Sequence, residues 1–80
     1  MKHYKIKRER IVELAFPLDD NWEIVNDKVL NISDMYNGDL MDAGAGFGER
    51  EMRIEFKNVE DAEMFADALA SIKESKIEIN

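Results

Sequence analysis

Within residues 50–57, charged and apolar side chains alternate without a break from Glu51 to Lys57, and this stretch constrains the fold more than any other. Met52, Ile54 and Phe56 project to one side of an extended chain, and the charged residues around them project to the other. A period of two residues is typical of a strand with one buried face. We therefore predict a half-buried β-strand over these residues.

A helix over about residues 59–74 is predicted directly after this strand. Asn58 is a typical N-cap residue, and Asp61 follows three positions later, as in a capping box. Residues 76–79 alternate again and indicate a closing strand, so the C-terminal part is predicted to be a β–α–β unit. The helix would bury one apolar stripe formed by Val59, Ala62, Phe65, Ala66, Leu69 and Ile72.

The N-terminal half permits two interpretations. Alternation across residues 3–16 favours one long strand, whereas three apolar residues within 8–16 also have the spacing of a helix. Pro17 would end either element. Asn26-Asp27 lies between two short apolar stretches, which predicts a β-hairpin over residues 22–32.

Residues 33–49 lack a regular pattern. Asn37-Gly38 indicates a tight turn. Residues 42–49 predict a flexible loop, because three of them are glycines and only Phe47 has a large apolar side chain. The residues assigned to this loop are Gly44, Gly46, Phe47 and Gly48. Their spacing does not match a dinucleotide-binding or P-loop motif, and the loop leads into a strand rather than a helix.

Together these elements predict one α+β domain over residues 1–80. Its sheet would be small and mainly antiparallel, with about four or five strands packed against one amphipathic helix. The chain has no cysteine, which excludes disulfides and thiolate metal sites and favours the cytosol. We expect no signal peptide or membrane span, and a cytoplasmic monomer or homodimer without a cofactor.

Charge is uneven along the chain. The first ten residues hold five cations and one acid, which gives a charge of +4. Because the net charge of the chain is −7, the remaining seventy residues together carry −11. An acidic body repels phosphate backbones and attracts basic surfaces. The leading hypothesis is therefore a non-catalytic module that binds a basic protein surface. The acids predicted to meet that partner are Glu60, Glu63 and Asp67 on the helix, with Asp19 and Asp20 in the turn after Pro17.

Size and charge also suit a more specific version of this hypothesis. Small acidic chains of phages and mobile elements often inhibit host enzymes, and one that imitates nucleic acid would occupy a nucleic-acid-handling surface of a host protein. This version depends on size and charge alone.

Two other classes remain open. A small nucleic-acid-associated regulator would use the basic N-terminal strand through Lys5, Lys7, Arg8 and Arg10, although the acidic body disfavours strong binding. An enzyme or metal protein would use the loop acids Asp34, Asp39, Asp42, Glu49 and Glu51, whose spacing does not match a calcium loop. With one histidine and no cysteine, the common nucleophile–base pairs are missing. We predict no catalytic and no metal-binding residues.

Overall fold

The computed structural model describes residues 6–7 and 10–79. Two helices and five strands follow one another along the chain, and a short 3₁₀ turn, Leu69–Ser71, extends the second helix. The elements are β1 (Ile6–Lys7), β2 (Ile11–Pro17), α1 (Trp22–Met35), β3 (Asp39–Gly46), β4 (Glu49–Glu55), α2 (Val59–Ala68) and β5 (Glu78–Ile79).

All five strands belong to one antiparallel sheet, with β2 at its centre. On one side β2 pairs with β4, and β3 pairs with the far side of β4. On its other side β2 pairs with the short strands β1 and β5. From β2 to β5 the order is β–α–β–β–α–β, and β2 lies between the parallel strands β4 and β5, which is the connectivity of a split β–α–β, or ferredoxin-like, motif. The predicted α+β class with a small antiparallel sheet is confirmed.

The core lies on one face of the sheet, beneath both helices. Phe56 and Phe65 form an aromatic pair in this core, with ring centroids 4.9 Å apart and ring planes tilted by 38°, and both rings are buried as the alternation and the helical stripe predict. The strand residues of the core cluster are even-numbered residues of β2 and β4, which share one side; Ala15, on the other side of β2, is buried as well. The cluster consists of Val12, Leu14, Phe16, Val25, Val29, Met52, Ile54, Phe56, Ala62, Phe65, Leu69 and Ile72.

The hairpin predicted over residues 22–32 is wrong, because this segment is helix α1. Val25, Val29 and Ser33 recur every four residues and are buried against the sheet. Trp22 packs against the core at the start of the helix, and its ring lies 5.9 Å from the Arg50 guanidinium. Burial of this stripe outweighs the β-propensity of the branched side chains, since packing supplies most of a helix's stability.

Helix α1 ends in a Schellman motif at Asn37-Gly38. Asn37 has a positive φ of 59°, and the Gly38 N–H donates to the Ser33 carbonyl at 2.9 Å. A Cβ on Gly38 would lie 2.7 Å from Phe56 Cε2 and 2.9 Å from Ile54 Cγ2. The predicted turn is therefore present, and its glycine allows the chain to pass close to the core.

The prediction of a loop over residues 42–49 is also wrong, because most of this segment is β-strand. Gly44 and Gly46 lie in strand β3, and only Phe47 and Gly48 form the connection to β4. Both turn residues have positive φ, 53° and 78°, as a two-residue type I′ hairpin requires. Backbone pairing with β4 therefore orders a segment that has almost no side chains to pack.

The open question over residues 8–16 is resolved as a strand from Ile11, and Pro17 is the last residue of that strand. The part of the predicted strand before Ile6, and residues 8–9, lie outside the described residues. Neither helix in the described ranges has the length and apolar character needed to cross a bilayer.

Candidate functional site

The sheet face turned away from the helices, here called the open sheet face, is a surface of regular structure that neither helix covers. Strand register assigns its residues, because directly paired residues of antiparallel strands point to the same side. From the strands β2 to β5 it carries Ile11, Glu13, Ala15, Pro17, Asp39, Asp42, Gly44, Gly46, Glu49, Glu51, Arg53, Glu55 and Glu78.

Seven of these residues are acids, and Arg53 is the only cation among them. The Arg53 guanidinium lies between two carboxylates: its Nε donates to Asp42 Oδ2 at 3.0 Å, and its Nη1 lies 3.9 Å from Glu13 Oε2. The hydrogen bond from Arg53 lowers the pKa of Asp42, and Asp42 in turn raises the pKa of Arg53. Arg53 thus links three neighbouring strands and neutralises part of the local charge.

Four other carboxylates on this face, those of Asp39, Glu49, Glu51 and Glu78, form no ion pair with any residue in the described ranges. Glu51 and Glu78 flank Ala15 in one row across the sheet, so two strand spacings, about 10 Å, separate their backbones. Glu49 lies about 7 Å from Glu51 along β4. These side chains form an array of negative charge along β4 and across the sheet.

A shallow depression of about 380 Å³ lies in the middle of the open sheet face. Glu13, Asp42, Glu51 and Arg53 line it, together with the bare backbone of Gly44. A Cβ added at Gly44 would meet no atom within 4 Å, so the depression exists where the strand lacks a side chain. The carboxylates of Glu13, Asp42 and Glu51 can accept hydrogen bonds from a cationic donor.

The structure does not gather the predicted partner-binding acids into one surface. Glu60, Glu63 and Asp67 are exposed on α2, which starts near the end of the sheet where the Phe56 N–H donates to the Arg10 carbonyl. Asp19 and Asp20 are exposed in the turn before α1, at the opposite end of β2, about 20 Å away along the strand. The Asp19 carboxylate also has a local structural role, because it accepts the Asn21 N–H at 2.9 Å.

The residues of the nucleic-acid alternative are only partly described. Lys5 and Arg8 lie outside the described residues, and Lys7 belongs to β1. Arg10 is exposed, and its guanidinium lies 3.4 Å from Glu55 Oε2. The described part of this basic segment is therefore in contact with an acid of the open sheet face.

The acids proposed for a metal site are also placed apart. Asp34 lies on helix α1, whereas Asp39, Asp42, Glu49 and Glu51 lie on the β3–β4 hairpin. Among the described residues, no group of three or more histidines, aspartates and glutamates is arranged to hold a metal ion.

The sequence interpretation missed the open sheet face, although part of its signal was present. The odd-numbered charges of residues 50–57 were assigned to the exposed side of β4. In β2, Glu13 likewise lies between two buried residues, Val12 and Leu14, and therefore projects to the exposed side. What could not be seen is that β2 and β4 are neighbours, which places both sets of charges on one surface.

No protein-family profile matches this chain, and no curated protein sequence matches it significantly.

Proposed function

We propose that this protein is a non-catalytic binding domain whose open sheet face docks on a basic surface of another protein. One observation carries this proposal: a sheet face left uncovered by the helices holds four exposed or half-exposed carboxylates, Asp39, Glu49, Glu51 and Glu78, with no cationic partner in the described structure. Complementary charges speed the encounter of two proteins and set their orientation.

The nature of the array favours a partner that handles nucleic acid. Carboxylates repeat along β4 and across the sheet, and a protein groove that binds phosphates presents repeated Lys and Arg side chains to such a pattern. The domain would then inhibit its partner by occupying that groove. The same charge repels nucleic acid itself, so we propose a protein partner rather than DNA or RNA.

Two double variants with the same net charge test the location of the binding surface. Glu51→Lys with Glu78→Lys reverses the middle row of the open sheet face. Glu60→Lys with Glu63→Lys reverses two exposed acids of α2 and serves as the matched control. Each pair changes the formal charge from −7 to −3. All four side chains lie outside the core, so both variants are expected to fold, which circular dichroism will check.

Each protein is immobilised and exposed to a lysate of the natural host, and the captured proteins are quantified by mass spectrometry. We expect proteins captured by the wild type and the α2 variant to be absent from the open-face variant. Raising salt from about 0.1 M to about 1 M shortens the screening length from about 10 Å to about 3 Å and is expected to release them. Duplex DNA or RNA should compete for the same proteins. Unchanged capture by the open-face variant, or capture that neither salt nor nucleic acid affects, would show that the proposed surface is wrong.

A further inference from the structure

The outer edge of β3 is the exposed edge of the sheet and differs from the opposite edge. At the opposite edge β2 is covered by two strands of two residues each, β1 and β5. Strand β3 has eight residues, seven of them exposed, and among the described residues it pairs only with β4. Proteins usually protect such edges with lysine, proline or very short strands, because the unpaired N–H and C=O groups accept another strand. β3 has neither lysine nor proline, and its register shift between Leu40 and Asp42, a β-bulge, leaves residues 42–46 in regular pairing with β4.

The two sides of β3 differ in chemistry. On the helix side it carries apolar residues, Leu40, Ala43 and Ala45, which the helices leave exposed although their partners on β4 face the core or α1. On the open side it carries Asp39, Asp42 and two glycines. A strand added to this edge would continue the alternation of the sheet. Its side chains would meet an apolar surface on one side and carboxylates on the other.

The two glycines allow side chains of an added strand to reach carboxylates on β4 as well as those on β3. Gly44 is paired with Glu51 and Gly46 with Glu49, and a Cβ at either glycine would meet no atom within 4 Å. A Lys or Arg side chain on an added strand can therefore cross β3 above a glycine and reach a carboxylate of β4, two strand spacings or about 10 Å from its own backbone. This path leads to Glu49 and Glu51, which have no ion pair in the described structure.

From this geometry we propose that β3 binds an extended segment of the partner protein by adding it to the sheet, and that in this segment Lys or Arg alternates with apolar residues. The backbone groups of the edge supply the hydrogen bonds. The apolar side and the acidic side of β3 favour a segment in which apolar and basic side chains alternate. This inference depends on the proposed function, because it names the way in which the acidic surface holds its basic partner.

The test uses a synthetic peptide in which Lys and Val alternate over about eight residues, the length of β3. A peptide of the same composition, with its lysines and its valines in two separate blocks, is the control probe. Titration followed by NMR measures the affinity, and hydrogen exchange measures the β3 amides. We expect the alternating peptide to bind more tightly and to protect alternate amides of residues 42–46, the part of β3 beyond its bulge, since only alternate residues point outward from an edge.

Two neighbouring substitutions separate the two sides of the strand. Gly44→Val places a side chain in the path to Glu51, and a β-branched residue is compatible with a strand. Ala43→Val adds to the apolar side of the same strand and is the matched control. We expect Gly44→Val to weaken binding of the alternating peptide about tenfold or more and Ala43→Val to leave it unchanged or slightly tighter.

Several outcomes would overturn this inference. Equal binding of the two peptides, equal effects of the two substitutions, or binding without protection of β3 would each exclude strand addition. Salt-sensitive binding that Glu51→Lys with Glu78→Lys abolishes and Gly44→Val does not affect would leave the proposed function intact. If the β3 amides are already protected in the free protein and lose this protection on dilution, the edge pairs with a second copy of the chain instead.

Discussion

Replacing Gly38 by alanine tests how closely the end of α1 packs against the sheet. A Cβ at this position would lie 2.4 Å from Ser33 Oγ, 2.7 Å from Phe56 Cε2 and 2.9 Å from Ile54 Cγ2. Carbon atoms in favourable contact lie about 3.5–4.0 Å apart. The Ser33 hydroxyl can rotate away, but Phe56 and Ile54 are fully buried, so the added methyl group must displace core side chains.

The expected cost follows from two opposing effects. Overpacking of a core typically costs about 1–3 kcal/mol. Loss of glycine's freedom in the unfolded chain returns about 0.4–1 kcal/mol, because Gly38 does not have a positive φ and alanine can adopt its conformation. We therefore expect Gly38→Ala to lower the free energy of unfolding by about 1–2 kcal/mol. For a domain of this size, each kcal/mol corresponds to a decrease in Tm of about 4–8 °C.

Gly44→Ala is the matched control for this substitution. It makes the same chemical change in strand β3, where the new Cβ meets no atom within 4 Å and φ is not positive. We expect its Tm to equal or slightly exceed that of the wild type. Thermal and urea unfolding, followed by circular dichroism, measure both variants. If Gly38→Ala unfolds with the wild type, or if Gly44→Ala is destabilised as much, the close approach at Gly38 does not constrain the fold.

Three further predictions follow from single side chains. Phe65→Ala removes a fully buried ring and is expected to cost about 3–5 kcal/mol in urea unfolding; a loss below about 1 kcal/mol would contradict its central place in the core. Asn58→Ala removes the cap that accepts the Asp61 N–H at 2.8 Å and is expected to cost about 0.5–2 kcal/mol, whereas an unchanged midpoint would show that the cap adds no stability. An NMR titration should find the pKa of Asp42 below its usual value, and Arg53→Gln should restore it. Because folding lowers this pKa, the contribution of the Asp42–Arg53 pair to stability is present at neutral pH and is lost as pH falls through the lowered pKa.

The C-terminal half could be predicted because its signals are local. Alternation over residues 50–57 identified β4, and Asn58 identified the start of α2 through a cap that the structure contains. The helical stripe that includes Phe65 identified the buried side of that helix. Each of these signals depends on neighbours within a few residues, so no knowledge of the rest of the fold was needed.

The N-terminal half could not be predicted in the same way, because contacts between distant residues decide it. Residues 22–35 contain enough β-branched residues to favour strands, and they are helical because Val25 and Val29 are buried against the sheet. Gly44 and Gly46 favour a loop, and they lie in a strand because β4 supplies a partner for their backbone. The candidate site depends on the same long-range pairing, because only the neighbouring positions of β2, β3 and β4 bring Glu13, Asp42 and Glu51 together.

Arg53 shows how stability and binding are combined on one surface. Its guanidinium contacts Asp42 on β3 and Glu13 on β2, so it helps to hold the β3–β4 hairpin to the centre of the sheet. Without a cation at this position, carboxylates on adjacent strands would repel each other when the sheet forms. Glu51, two residues earlier on the same strand, has no such partner in the described structure and so remains available to a basic protein. A single arginine among seven acids thus reduces the repulsion within the sheet and leaves most of the negative charge free to attract a partner.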